Sequence, residues 1–323
     1  MIVAFAFVFA QTSISNLAIP AAVAVGQVAD ISFDILIQVA NPFAAETDRL
    51  DASISRGSTA LSIPAYYGQA YSRRLDGSRE VMNPDGQARW HVRFCPDRAG
   101  NWQVKLHFQG QQGPIDFAPL SVNVKPGKPA KFVGLAPEDR RYFQFSDGSP
   151  YFPIGANVCW GSSKGTYDYD DWLPKFGANG ANYIRIWLDP GWADLGFDKT
   201  RNDQPDCGFG RFDLKAADRL DRIFRLAQAQ GIYVMLCLDA CNELQTAQQN
   251  GYWDYTPQNK LNGGPLSNPT DFWTDPTMAV EYQDKMRYLV ARYSAEPNLL
   301  SWEMWNEVDG VPHYDTKLVA PRF

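Results

Sequence analysis

Two polar side chains stand side by side at the end of an apolar run near the C-terminus. The run 299–305 reads LLSWEMW, and Asn306 and Glu307 follow it directly. A carboxyl group can give and take a proton, and an amide beside it can hydrogen-bond a hydroxyl group. Parallel strands of a (β/α)8 barrel present their reactive residues at their carboxyl ends. This pair therefore has the position expected of an acid/base catalyst.

Composition limits the classes of protein to consider. The 323 residues suit two globular domains, since 45% are hydrophobic and 20% are charged. A net charge of −6 and a pI near 5.2 argue against nucleic-acid or anionic-membrane partners. Aromatic residues make up 14% and include 10 Trp, which serve either as platforms for sugar rings or as core residues. Composition leaves these two roles open.

The first ten residues, MIVAFAFVFA, are apolar and too short to span a membrane. They fit either the end of a truncated signal peptide, which implies a secreted or periplasmic protein, or a first strand. The odd number of cysteines and their irregular spacing predict free, buried thiols without a disulfide framework. The three histidines are scattered. We therefore expect no metal site and no cofactor.

Short segments of alternating apolar and polar residues fill the first third of the chain. In ARWHVRF, residues 88–94, every second residue from Trp90 on is apolar. Such alternation, separated by turn residues and without a helical stretch, is typical of an antiparallel sandwich. We predict a β-sandwich over residues 11–125. Pro126, Gly127 and Pro129 then indicate a linker, which we assign to residues 126–141.

From residue 142 onward, the pattern changes to alternating strands and helices. The segment Leu214–Gln230 has apolar residues at helical spacing, and Gly231 follows as a stop signal. Another helix is predicted to start at Asp275-Pro276. Near-continuous apolar strands imply a parallel sheet covered by helices. Four such strands are predicted, at residues 151–158, 182–188, 232–238 and 299–305.

These strands carry a resemblance to a known family. GSPYFPIGANVCW, ANYIRIWLDP, GIYVMLCLD and WEMWNEVDG, in this order and spacing, resemble strands one to four of the clan-A retaining glycoside hydrolases. The likeness is particularly to the cellulase and mannanase group of family 5. The first 125 residues, with RFCPDRAGNW, resemble the immunoglobulin-like domain that precedes the barrel in many such enzymes. The resemblance implies an immunoglobulin-like β-sandwich followed, over residues 142–323, by the first half of a TIM (β/α)8 barrel.

The resemblance also assigns roles to individual residues. Glu307 matches the acid/base that protonates the glycosidic oxygen and later deprotonates water. Asn306 matches the amide that binds the sugar 2-hydroxyl, and Arg185 matches the arginine that keeps the nucleophilic carboxylate ionised. A buried guanidinium group needs a carboxylate partner under any interpretation. Glu303 shares strand parity with Glu307, and we predict that it pairs with a cation instead of acting as a catalyst.

Four more residues at or beyond strand ends are candidate substrate contacts. Trp160 could provide a flat platform for a sugar, whereas Asp189, Asp239 and Asn242 could bind hydroxyl groups. Each has a structural alternative, because the tryptophan could pack in a core and the polar residues could cap loops or helices. The connection 240–274 is long for a barrel loop, and loops of that length are usually functional or disordered.

The sequence departs from the family pattern in its length. A complete barrel takes about 250 residues, whereas 173 residues follow position 150. The family nucleophile is a second Glu on strand seven, and only four strands can be counted here. We therefore expect a fragment of a longer protein that is inactive by itself.

The predicted parent is a secreted retaining β-glycosidase of the endo type, with a plant or microbial polysaccharide as its partner and no membrane span. The alternative is a non-catalytic carbohydrate-binding or surface-interaction protein on the same scaffold. A glutamate at the tip of strand seven would favour the enzyme, and its replacement would favour the binding protein. The sequence does not fix which polysaccharide is involved.

Overall fold

The computed structural model describes residues 14–188, 195–196, 207–312 and 314–319. These residues form a two-sheet β-sandwich, a small three-stranded sheet and a four-stranded parallel sheet with flanking helices. The apolar segment 1–10 and the candidate residue Asp189 lie outside the described residues.

The sandwich has one sheet in the order β1-β3-β7-β6 and another in the order β2-β10-β8-β4-β5, with β9 paired to β8. Trp90, Val92 and Phe94 of β7 point into a core shared with β3, β4, β8 and β10. The alternation of residues 88–94 therefore gives this strand one buried face, as predicted, while the immunoglobulin likeness stays a prediction. The strands are β1 (Ile14–Ala18), β2 (Val23–Ala24), β3 (Ala29–Ile35), β4 (Arg49–Arg56), β5 (Thr59–Pro64), β6 (Tyr66–Asp76), β7 (Arg79–Phe94), β8 (Gly100–Gly110), β9 (Gly113–Asp116) and β10 (Leu120–Lys125).

β6 and β7 form a hairpin that is longer than the sequence suggests. Only the last part of β7 was predicted, because residues 79–87 read REVMNPDGQ and contain Pro84 and Gly86, which are turn signals. In the structure, this polar segment pairs with β6, for example Arg74 with Val81. Strand propensity depends on the surroundings, and one end of this hairpin packs on the other domain, as described below.

Part of the predicted linker forms a strand. It contains β11 (Val133–Leu135), which pairs with β12 (Phe143–Phe145), and β12 pairs in turn with β13 (Pro150–Tyr151). Asp147-Gly148 is a turn signal in the sequence, and a hairpin turn forms there, in which the Phe145 N–H donates to the Ser149 carbonyl at 2.8 Å. The predicted strand 151–158 is split, since β13 ends at Tyr151 and the next strand starts at Gly155. Pro153 lies in the gap and has no N–H for a sheet ladder.

The second domain contains the predicted parallel sheet. Its strands β14 (Gly155–Asn157), β15 (Tyr183–Trp187), β16 (Tyr233–Cys237) and β17 (Leu299–Glu303) lie side by side in sequence order. A Cβ at Gly155 would lie 1.7 Å from the Tyr183 carbonyl oxygen, so the close approach of β14 to β15 requires glycine. The helices are α1 (Thr166–Ala178), α2 (Leu214–Ala229), α3 (Pro276–Tyr293) and α4 (Thr316–Val319). In the described part of the chain, no helix is long and apolar enough to cross a membrane.

The two domains meet through a buried charge cluster. Asp221 of α2 accepts hydrogen bonds from Arg93 of β7 at 2.8 Å and from Arg292 of α3 at 2.9 and 3.0 Å. The ring of Tyr66 lies 5.1 and 5.0 Å from the central carbons of these guanidinium groups. Asp221 thus joins the sandwich to two helices of the second domain.

A second contact fixes the far end of the long hairpin. Glu80 of β7 is buried, accepts a hydrogen bond from Arg219 of α2 at 2.7 Å and also accepts one from the backbone N–H of Thr166 at 3.2 Å. A Cβ at Gly165, which has a φ of 56°, would lie 2.3 Å from the Glu80 carboxylate. The start of α1 is therefore shaped around a carboxylate of the other domain.

Asp221→Asn should lower the free energy of unfolding by about 3–5 kcal/mol, because two buried guanidinium groups would lose their shared counter-charge. Burial alone would raise the pKa of Asp221, but the charges of Arg292 and Arg93 hold it well below its usual range. The stabilising effect of the Asp221 carboxylate should therefore be fully present at pH values above the ordinary aspartate pKa. It should be lost as the pH falls from that value toward the lowered pKa of Asp221 in the folded protein. Urea unfolding measures both effects. The matched control, Asp97→Asn in an exposed ion pair, should change little, and equal losses in the two variants would contradict the prediction.

Glu296 should have the opposite pH dependence. Burial raises the pKa of Glu296 to about 7 from an ordinary value of 4.5. The folded protein then keeps a proton that the unfolded chain releases, so stability falls as the pH rises between these values. Glu296→Gln should be about 2–3 kcal/mol more stable than the parent at pH 8 and nearly equal to it at pH 4. Exposed Glu138→Gln is the control, and a difference that does not vary with pH would refute the prediction.

Candidate active site

Backbone pairing carries Asn306 to the end of the parallel sheet. β17 ends at Glu303, but a parallel bridge joins Ala240 to Asn306 beyond it. The Asn306 N–H donates to the Asp239 carbonyl at 2.8 Å, and the Cys241 N–H donates to the Asn306 carbonyl at 3.1 Å. The sheet register therefore places the Asn306-Glu307 pair at the carboxyl edge, as the sequence predicts.

Glu307 has a backbone conformation that is rare for a residue with a side chain. Its φ of 52° and ψ of 47° lie in the left-handed region. A 3₁₀ turn over Val308–Gly310 follows, and the Gly310 N–H donates to the Glu307 carbonyl at 2.8 Å. This sharp turn leaves Glu307 exposed while Asn306 beside it is buried. Strained residues of this kind cluster at functional sites.

A thiol contacts the Glu307 carboxylate. The Sγ atom of Cys241 lies 3.6 Å from Oε2 of Glu307. Burial and the neighbouring Glu307 raise the pKa of the Cys241 thiol to about 11, so it stays protonated and can donate to the carboxylate. The cysteines form no disulfide in the described part of the chain, and Cys95 and Cys207 are only partly buried, so the prediction of buried thiols holds for Cys159, Cys237 and Cys241 only.

Arg185 is held by groups from three strands. Its Nε and Nη2 atoms donate to the two oxygens of Glu303, each at 2.5 Å, and Nη1 donates to Oδ1 of Asn157 at 3.3 Å. The Trp187 ring lies 4.9 Å from the guanidinium carbon. Burial would lower the pKa of Arg185, but the hydrogen bonds and charge of Glu303 outweigh it and raise the pKa. The prediction that Glu303 pairs with a cation is confirmed.

The Asn306 amide is bound on one side only. Its Oδ1 accepts a hydrogen bond from Nη2 of Arg185 at 2.9 Å. Its Nδ2 is buried and has no hydrogen-bond partner among the described residues. Buried amide donors are almost always satisfied, so this donor is available for a ligand at the end of the sheet.

Trp160 is the tryptophan best placed for a platform. This residue is 59% exposed, and its ring meets Trp187 edge to face, with 5.3 Å between ring centroids. In contrast, Trp253, Trp273 and Trp305 are buried in a separate apolar cluster under the connection after β16. The packing interpretation therefore applies to those three, and the platform interpretation remains open for Trp160.

The polar candidates on the loop after β16 have structural partners. Asp239 is 4% exposed, and its carboxylate accepts hydrogen bonds from Lys285 Nζ at 2.5 Å and the Tyr282 hydroxyl at 2.8 Å. Asn242 donates from Nδ2 to the Asn250 carbonyl at 3.3 Å. These contacts favour the structural alternative for Asp239, whereas Asn242 is still partly exposed.

The connection 240–274 is folded. It contains 3₁₀ helices at Cys241–Leu244, Ala247–Gln249, Trp253–Tyr255, Lys260–Asn262 and Pro269–Trp273. Leu244, Leu266 and Phe272 share a small core with the start of α3. The structure therefore shows that this long loop is ordered, whereas a functional role for it stays a prediction.

Sequence reasoning missed two residues of the site. Asn157 is at the end of β14, in register with Arg185, and Cys241 is the first residue of the 3₁₀ helix that follows β16. A polar residue at the tip of a predicted strand was the available signal for Asn157. No sequence signal marked Cys241, because its contact with Glu307 depends on how the loop folds.

A cavity of about 510 Å³ lies elsewhere, between the long hairpin and α2. Its lining includes Arg73, Arg93, Arg219 and Arg222, each ion-paired with a carboxylate. It contains none of the candidate residues. This cavity is therefore part of the domain interface, whereas the described candidate residues lie at or near the strand ends.

Known families match both halves of the chain. The model described as Cellulase (glycosyl hydrolase family 5) matches residues 146–319, and the model described as Domain of unknown function (DUF5060) matches residues 25–109. The first match covers more than half of the chain. The chain therefore belongs to glycosyl hydrolase family 5, and the resemblance seen in the four strand segments is confirmed.

The individual proteins that match the chain have low sequence identity to it. Over 169 residues, the chain is 24% identical to the protein named "Probable mannan endo-1,4-beta-mannosidase F" from Emericella nidulans, a match that covers 50% of this chain and 36% of that protein. A solved structure of a candidate glycoside hydrolase from Bacteroides vulgatus ATCC 8482 has a TM-score of 0.62 at 19% identity, covering 93% of this chain and 52% of that one. The chain thus spans about a third of the first relative and half of the second. The structural likeness supports the fold of both domains together.

The left-handed backbone of Glu307 predicts that glycine is tolerated better than alanine at this position. Glu307→Gly should be more stable than Glu307→Ala by about 1 kcal/mol, because only glycine adopts this conformation without strain. Both variants lose the same carboxylate, so their difference isolates the backbone. Thermal and urea unfolding measure it. An alanine variant as stable as the glycine variant would show that the turn relaxes.

Proposed function

We propose that this chain carries the acid/base site of a retaining β-glycosidase of the endo type, with Glu307 as the proton donor and β-1,4-mannan as the first substrate to test. The observation that carries the proposal is the Asn306-Glu307 pair at the carboxyl edge of a parallel sheet, where Arg185 binds the amide. Family membership supports the glycosidase class. The name of the Emericella nidulans relative supports the choice of mannan.

In this proposal, Glu307 protonates the glycosidic oxygen as the bond breaks and later takes a proton from the attacking water. Its exposure gives it access to a bound polysaccharide. The Cys241 thiol orients one carboxylate oxygen, and Asn306 Nδ2 donates to a sugar oxygen. Trp160 offers an exposed ring to a sugar face. We also propose that the protein acts outside the cytoplasm, where polysaccharides are found.

Retaining hydrolysis uses a second carboxylate, about 5–5.5 Å from the first. Arg185 is the residue proposed to keep that carboxylate ionised, and it already binds Glu303. The nucleophile would therefore share the guanidinium group with Glu303. We further propose that the 323-residue chain alone does not turn over glycosides, since the family nucleophile matches no residue in it.

Glu307→Ala in the complete product of the reading frame should lower mannan hydrolysis about 10²–10⁴-fold, because leaving-group protonation is lost. Aryl mannosides with activated leaving groups need less protonation and should be partly spared. Azide should restore turnover and yield a β-mannosyl azide, which reports retention of configuration.

The control for this experiment is Glu46→Ala, an exposed glutamate of the sandwich that should keep full activity. Unchanged mannan hydrolysis by Glu307→Ala would remove Glu307 from the mechanism. A parent protein that binds mannan without cleaving it or any aryl glycoside would instead favour a carbohydrate-binding protein.

A further inference from the structure

Glu303 contacts Arg185, and Arg185 contacts the side-chain amide of Asn306, the candidate sugar-binding group. Both of its oxygens accept hydrogen bonds from Arg185, at 2.5 Å each. The same Nη2 atom of Arg185 that contacts Glu303 also donates to Oδ1 of Asn306 at 2.9 Å. The side chains of Glu303 and Arg185 are 21% and 14% exposed, so water screens these contacts only partly.

The two-point contact fixes the plane of the guanidinium group. A carboxylate that accepts two parallel hydrogen bonds from arginine holds it in one orientation, which a single contact does not. The remaining contact of the group, from Nη1 to Asn157 at 3.3 Å, is longer. Without Glu303, Arg185 would be free to turn away from Asn306.

The orientation of Arg185 in turn decides which end of the Asn306 amide is free. Arginine can only donate hydrogen bonds, so the amide must present its oxygen to Arg185. Nδ2 is then left as a buried donor without a partner among the described residues. Such a donor is costly in a folded protein unless a ligand satisfies it.

We propose that Glu303 is a positioning residue, which acts through Arg185 to hold the Asn306 amide with its Nδ2 donor directed to an oxygen of the bound sugar. The proposal rests on the proposed function for the identity of the ligand. The orientation of Asn306 itself is a property of the free protein, so it can be measured without any activity.

The first experiment follows the side-chain ¹⁵N–¹H signals of Arg185 Nε and Asn306 Nδ2 by NMR in the 323-residue chain. Glu303→Gln keeps the shape but removes the charge and one acceptor, and both signals should shift. Glu303→Asp, which keeps the charge, should move them less. Signals that stay in place in Glu303→Gln would overturn the proposal.

The matched control is Glu80→Gln. Glu80 forms a comparable buried contact with Arg219, at 2.7 Å, in the domain interface. This control should lower stability and leave the Arg185 and Asn306 signals unchanged. If Glu303→Gln does not fold, the double variant Arg185→Met with Glu303→Met removes both charges together. Its Asn306 signal should then shift in a folded protein, and an unshifted signal would count against the proposal.

The second experiment is a double-mutant cycle on aryl mannoside hydrolysis by the complete product of the reading frame. Glu303→Gln should lower kcat about ten- to a hundredfold with a KM within about threefold, as expected for a contact that strengthens in the transition state. Adding Asn306→Ala to Glu303→Gln should cost little more, because both act on the same contact. If the two substitutions instead lower kcat independently, so that their fold-losses multiply in the double variant, Glu303 supports only the fold. If the parent hydrolyses no glycoside, the proposed function fails and the NMR experiment alone decides the role of Glu303.

Discussion

A guanidinium group that leaves water must be paired and fully hydrogen-bonded, or it destabilises the fold by several kcal/mol. Arg185 lies on β15 of the parallel sheet, and its partners come from the adjacent strand β14 and from β17, two strands away. Glu303 supplies the charge, and Asn157 and Asn306 supply amide oxygens. The requirement to neutralise one cation therefore holds residues of β14, β15 and β17 in a single arrangement, and the candidate active site is the exposed part of it.

Backbone pairing and a turn also position the residues of the candidate site. Pairing between β16 and β17 resumes beyond the named strands, at Ala240 and Asn306, so the sheet itself sets the position of Asn306 and Glu307. The turn that follows forces Glu307 into a strained conformation and into solvent, beside a protonated thiol. Rigid positioning of Asn306 and exposure of Glu307 thus come from one change of chain direction.

Local sequence patterns predicted the elements that depend on local periodicity. The alternation in residues 88–94, the helical spacing of α2 and the turn at Asp147-Gly148 all appear in the structure. Strand parity was enough to place Glu303 beside a cation, because side chains two and four residues apart share a face. The family resemblance added the role proposed for Glu307, which periodicity cannot supply.

The features that sequence did not predict depend on distant partners. The polar segment 79–87 is a strand because it pairs with β6, and Asp239 is buried because Lys285, 46 residues later, neutralises it. The apolar cluster under the connection 240–274 likewise joins residues from several turns and from α3. No spacing rule specifies which of many lysines or aromatic residues will meet such a partner, since chain folding decides it.

The contact between Glu80 and the start of α1 has a consequence for how this architecture can evolve. The Glu80 carboxylate of the sandwich fills the space that a side chain at position 165 would need, and Arg219 neutralises the charge of the same carboxylate. A mutation on one side of this boundary therefore has to be matched on the other. Recombination that joins this sandwich to a foreign barrel would separate Glu80 from Gly165 and Arg219, so we expect the two domains to be inherited as a pair.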